Sequence, residues 1–226
     1  MMRFWIFAAM LLLAPAVVHG ETNVIAPPVD EAAQDASFLK FRAALLKAVI
    51  ARDTEAVIGF SSPTISLSFG GQEGHDDFRD ALNVPVEKLS DEYKPQAAQM
   101  REAYWNELET VLKMGGKFVE GGFSAPYTWV SPEPNHMDPY DVDYVIGNNV
   151  LMRKAGNINA PVIRHLSYNV VEIYQPDEDA TYQSVRLPDG TDGFVASRYL
   201  RFMLDYRANF IKQNGKWLMI DFLAGD

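Results

Sequence analysis

The chain has 226 residues, 48% hydrophobic and 12% aromatic, and thirty acidic against twenty basic side chains leave a formal charge of −10. With no basic cluster to offset that balance, nucleic acid and anionic lipid are poor partners. The lack of cysteine excludes a disulfide framework, lipid attachment at an N-terminal thiol and every cysteine nucleophile.

Residues 1–20 read as a signal peptide. Arg3 gives a short basic start, and Phe4 to Leu13 is an apolar run shorter than the ~20 residues of a typical span. Small residues follow at Ala14-Pro15-Ala16 and Val18-His19-Gly20, so cleavage is expected after Gly20, with Ala16 second. An uncleaved anchor is the other reading. Export makes the mature protein periplasmic or secreted, and no later run is apolar enough for stable membrane insertion after cleavage. Residues 21–34, with Pro27-Pro28 and no apolar period, read as a flexible leader.

Residues 35–131 read as a helical α+β domain. Phe38, Phe41, Leu45, Ala48 and Val49 recur at helical steps, with Ser37 or Asp35 as N-cap and an end near Arg52. Asp53 caps a short second helix that Ser61-Ser62-Pro63 stops. Ile65, Leu67 and Phe69 alternate as a strand from Thr64 to Phe69, and His75 to Leu82 reads as another short helix after a glycine-rich turn. A longer helix runs from Lys94 or Pro95 to Met114, its stripe formed by Met100, Tyr104, Leu108, Val111 and Leu112. Lys117 to Val119 and Tyr127 to Val130 read as short strands, and the prolines of 131–138 mark a domain boundary.

Tyr144 to Leu200 carries a run of short β-rich segments with an Asp189-Gly190 turn. Asn149-Val150-Leu151-Met152-Arg153, Ala160-Pro161-Val162-Ile163 with Leu166, Val170-Val171-Glu172-Ile173, Tyr182 to Leu187, and Gly193-Phe194-Val195 ending in Arg198-Tyr199-Leu200 form the pattern. It resembles the bacterial Src-homology-3 family over about a quarter of the chain. That resemblance implies a five- or six-stranded barrel over 143–201, with Val150, Val162, Val171, Val185 and Val195 inward, that binds peptide or glycan. Asn169 stands where the family has a turn glycine, and Tyr182 where it often has tryptophan.

Tyr206 to Lys212 and Lys216 to Leu223 read as a hairpin about Asn214-Gly215, with Trp217, Met219 and Asp221 on one face and Leu218, Ile220 and Phe222 on the other. Together with the initial helices and strand, this ending resembles the nuclear transport factor 2-like fold. The expected fold is therefore α+β: a helical domain completed by the hairpin of 205–226, with the barrel inserted. A simple C-terminal extension of the barrel is the alternative.

Chemistry-bearing motifs are sparse. His75, His136 and His165 lie too far apart for a compact zinc site, and Gly70-Gly71-Gln72-Glu73-Gly74 lacks the lysine of a phosphate loop. Paired carboxylates such as Glu107 with Glu109, or Asp138 with Asp141, stay open as acid and base. No catalytic residue, metal or cofactor is assigned. The candidate ligand-binding residues are Tyr168, Tyr174, Tyr182 and Tyr199 on the barrel, with Tyr127 and Trp129 ahead of it. Two functions follow: a non-catalytic exported protein whose barrel binds peptidoglycan peptide or an envelope protein, or a small-molecule pocket, enzymatic or not, in the α+β domain. A pocket holding a buried carboxylate beside a tyrosine favours the second.

Overall fold

The computed structural model describes residues 23–131, 137–177 and 179–225. The signal peptide expected at 1–20 lies outside the described residues, as do 132–136 of the proline-rich boundary. The described chain is α+β, with two mostly antiparallel sheets. Among the described residues no helix is long and apolar enough to cross a membrane.

Asp35 accepts the backbone N–H groups of Ser37 and Phe38 and so opens α1 (Ala36–Ile50), while Asp53 accepts from Ala56 and opens α2 (Thr54–Gly59). β1 (Ser61–Ser66) follows at once, earlier than the alternation of Ile65, Leu67 and Phe69 suggests. Pro63 sits inside it because β1 is an edge strand, where a missing N–H breaks no ladder. Then come α3 (Gly74–Asn83) and α4 (Ala97–Lys113), held together by the Trp105 indole N–H donating to the Leu82 carbonyl at 2.8 Å. β2 (Lys117–Val119) and β3 (Gly122–Ala125) form a hairpin. Tyr127 to Val130, expected as a strand, is instead a turn: Pro126 has no N–H for the ladder, and Trp129 donates back to the Pro126 carbonyl at 3.1 Å.

Next in the chain are β4 (Val142–Val145), β5 (Val150–Arg153), β6 (Val162–Leu166), β7 (Val170–Ile173), β8 (Tyr182–Arg186), β9 (Asp192–Ala196) and β10 (Leu200–Phe202). They form one antiparallel seven-stranded sheet, ordered β10-β4-β7-β8-β9-β5-β6. Val150, Val171, Val185 and Val195 enter its core with Met152, Leu166 and Ile173. Val162 does not; it is 40% exposed on the edge strand β6. Gly193 is where β9 passes close to β5, since a Cβ there would stand 2.7 Å from the Met152 methyl and 2.9 Å from the Arg153 carbonyl oxygen. At the turn where Asn169 stands in place of the family's glycine, the left-handed residue is Tyr168, with φ +59°, and the Asn169 side chain accepts the Ser167 N–H.

β11 (Arg207–Gln213) and β12 (Lys216–Leu223) join around Asn214 and Gly215, both at positive φ. They lie in the five-stranded sheet ordered β1-β12-β11-β3-β2, whose only parallel pair is β1 with β12. A bulge in the β11–β12 ladder corrects the expected facing. Pairing passes from Asn209–Asp221 to Phe210–Met219, which leaves Ile220 unpaired and reverses the alternation. Trp217, Met219 and Phe222 therefore share the core side. That core is largely aromatic: Phe38 of α1 lies 4.2 Å from Phe123, 5.5 Å from Phe210 and 4.9 Å from Trp217 between ring centroids.

The stretch expected as a flexible leader is tied down from Asn23 onward. Ile25 bridges Asn169, the Ala26 N–H donates to the Tyr168 carbonyl, and Ala26 is buried against Tyr144 and Val170. Farther along, Asp30 pairs with Arg42, and Glu31 accepts the Phe118 N–H. Composition foretold no structure here because the segment borrows its partners from both sheets.

Candidate functional site

A cleft of about 550 Å³ lies between α3, the turn at 84–89 and α4. Leu67, Ala81, Pro85, Leu89, Met100 and Ala103 make its apolar wall, and Tyr104, Glu107 and Tyr206 close one end. Met100 and Tyr104 belong to the stripe that marks α4 as amphipathic, yet Met100 is 38% exposed. It faces the cleft rather than the core. Val84 closes α3 in the left-handed region, at φ +46° and ψ +68°, where a β-branched residue is strained. Its N–H caps the Asp80 carbonyl, and Asp80 also pairs with Lys88 across the rim.

Behind Glu107 lies a buried arginine. Arg201 of β10 is 6% exposed, and its Nη1 stands 3.2 Å from Glu107 Oε2 and 3.2 Å from Asp205 Oδ2, while Nη2 donates to the Tyr206 carbonyl at 2.9 Å. This cluster joins α4 to the seven-stranded sheet. Burial, and then the charge of Asp205, raise the Glu107 carboxyl above its ordinary value despite Arg201. Asp143 is pushed up to about 7 by burial and by the same Asp205. Burial also raises the Tyr104 and Tyr206 hydroxyls, so both stay protonated. The Tyr104 hydroxyl is buried with no hydrogen-bond partner among the described residues.

The six candidate ligand residues do not converge. Tyr182 and Tyr199 line one groove of about 410 Å³ on the seven-stranded sheet, with Asn148, Arg153, Ile158 and Arg198. Neither Arg153 nor Arg198 forms an ion pair among the described residues; Arg153 donates to the Ala160 carbonyl and Arg198 lies over the Tyr199 ring at 4.7 Å. Tyr174 lies elsewhere, under the Arg186 guanidinium at 5.0 Å. Tyr127 is buried, and burial followed by the nearby Tyr168 pushes its hydroxyl up to about 12. Trp129 packs against Arg207 at 4.1 Å.

The carboxylate pairs left open by the sequence do not converge either. Glu109 turns to Arg52 and Lys113 while Glu107 turns to Arg201, and Asp138 accepts the Tyr140 N–H as a cap. His75 approaches the Ser61 carbonyl at 3.5 Å and His165 the Asn149 side chain at 2.6 Å; His136 is outside the described residues. Among the described residues no three His, Cys, Asp or Glu side chains gather as a metal site. Arg201 escaped sequence reasoning altogether. Its signal was available, a basic residue between Leu200 and Phe202 in a β run, but its partners lie 94 residues upstream and four downstream.

No protein-family profile matches the chain, and no curated protein matches it. Among solved structures, the chain is similar to a protein of unknown function with a cystatin-like fold from Nostoc punctiforme PCC 73102. The two share 11% identity over 87% of this chain and 93% of that one, with a TM-score of 0.25.

Proposed function

We propose that the protein is an exported, non-catalytic binding protein whose ligand occupies the cleft between α3 and α4. The observation that carries this reading is the apolar cleft of about 550 Å³ in which the Glu107 carboxylate stands beside Tyr104 and Tyr206. Small-molecule sites have this character: roughly 300–1,000 Å³ of mostly apolar wall with a few convergent polar groups. Glu107 is anchored by Arg201, an arrangement suited to orienting a ligand. A thermal-shift screen of small apolar molecules against the full chain tests it, with Ala103→Trp filling the cleft. Hits whose stabilisation survives the tryptophan sink the assignment.

We read the seven-stranded sheet as a Src-homology-3-like barrel inserted into a nuclear transport factor 2-like α+β domain. Chain order supports this, since β4 to β10 run consecutively between β3 and β11, which are neighbours in the other sheet. A second reading, that the barrel binds peptidoglycan peptide or an envelope protein, is favoured by the Tyr182–Tyr199 groove. Its two arginines without ion pairs suit a peptide carboxylate. A pull-down on purified peptidoglycan that is unchanged by Tyr182→Ala with Tyr199→Ala would remove that reading.

A further inference from the structure

The charges around the α3–α4 cleft are lopsided. Asp77, Asp80 and Glu107 line it against a single Lys88. Lys88 is already paired with Asp80, and Asp77 accepts the backbone N–H of Glu73. Glu107 gives Oε2 to Arg201, but its Oε1 makes no hydrogen bond among the described residues. Arg201 does not neutralise this end of the cleft either, because Asp205 shares it at the same 3.2 Å. Among the described residues, an anionic ligand would therefore meet three carboxylates and no unpaired cation.

Two aromatic rings stand at the same end. Tyr104 and Tyr206 lie 5.6 Å apart between centroids and perpendicular, at 90°. The rings touch edge to face and both pack on Phe222, at 5.2 and 4.8 Å, so it is their remaining surface that the cleft meets. Aromatic surface beside a carboxylate attracts an ammonium through the ring quadrupole and through the full charge. Leu67, Ala81, Pro85, Leu89, Met100 and Ala103 offer apolar contact to whatever the cation carries.

We infer that the cleft takes a small amphiphile with an apolar body and a protonated or quaternary ammonium head, the head seated against Glu107 and beside Tyr104 and Tyr206. This inference rests on the cleft being the ligand site, and its test separates the two. Three probes of equal chain length, n-octyltrimethylammonium, octanoate and 1-octanol, are titrated calorimetrically into the full chain below their aggregation concentrations. The cation should bind about tenfold or more tighter than octanoate, with the alcohol between them. Glu107→Gln retains a side-chain oxygen for Arg201 and should remove most of the preference for the cation, lowering cation affinity by a larger factor than 1-octanol affinity. Asp77→Asn, on the rim, should narrow the preference by a smaller factor and serves if the first variant does not fold. Ala103→Trp should weaken all three probes.

Octanoate binding as tightly as the cation in the wild type, or a ratio unmoved by both carboxylate variants, overturns the ammonium assignment while leaving the cleft. If 1-octanol binds equally well to the wild type and to Ala103→Trp, the cleft itself is not the site and both readings fall.

Discussion

Val84 shows how much a single backbone angle can reveal. Its φ of +46° lies where side chains with a branched Cβ are crowded by the following carbonyl, at roughly 1–2 kcal/mol. Gly is the usual occupant of such a helix-ending position. Val84→Gly should therefore raise stability by about 0.5–1 kcal/mol, the relief being partly offset by the greater chain entropy of unfolded glycine. The same change removes part of the cleft wall, so ligand affinity should fall as the melting temperature rises. A destabilised Val84→Gly would mean that the valine side chain contributes more by packing than its backbone loses by strain.

Asp143 makes the second residue-scale prediction. Its carboxyl is pushed up to about 7 from an ordinary 3.8, first by burial and then by Asp205, so folding favours the protonated form. The contribution is fully present below about pH 4 and is lost as pH rises through about 7. Asp189, held down to about 2 by Arg164 and Thr191, acts in the opposite sense but only at lower pH. Urea midpoints measured at about pH 4.5 and 8 should differ more for the wild type than for Asp143→Asn, which should be the more stable protein at the higher pH. Equal pH dependence in the two proteins would show that Asp143 titrates normally.

Along the elements, Val195 and Val162 offer a matched pair. Both are valines in adjoining parts of the same sheet, but Val195 is wholly buried and Val162 is 40% exposed. Val195→Asp strands a carboxylate in an apolar core and should cost several kcal/mol; Val162→Asp should cost less than about 1 kcal/mol. Chemical denaturation of the two variants checks this, and equal losses would mean that β6 is covered in solution. Here the sequence was legible up to a point. The turn at Asn214-Gly215, the cap at Asp53 and the strands of the β-rich run were readable because each depends on neighbouring residues. The inward place given to Val162 was not, because alternation names two faces without saying which strand lies at the edge. The bulge at Ile220 was hidden for a related reason: pairing with β11 creates it, and nothing in Lys216 to Leu223 alone marks a skipped residue. The cleft was illegible in a third way, since Leu67, Pro85, Ala103 and Tyr206 are ordinary residues until three distant segments meet around them.

At the scale of the molecule, the described parts are stitched together at two places. The Arg201 cluster ties β10 to α4, and residues 23–35 run from the seven-stranded sheet to α1. The completion of the five-stranded sheet also has an order in time. β1 pairs with β12, so Ser61 waits for Met219, and Phe38 remains only partly covered until Phe210 and Trp217 have been made. The seven-stranded sheet needs only residues from 142 to 202 for its ladders. Contacts so far apart along the chain form late, since loop closure must precede their reward. Pulsed hydrogen exchange during refolding should therefore protect β4 to β10 before α1, and protection of α1 first would refute that order. Made from its N-terminus onward, the helical half carries an aromatic face that stays partly bare until the last strands arrive. A chain that stops before Trp217 would keep that face partly bare, and its aggregation would follow from its topology.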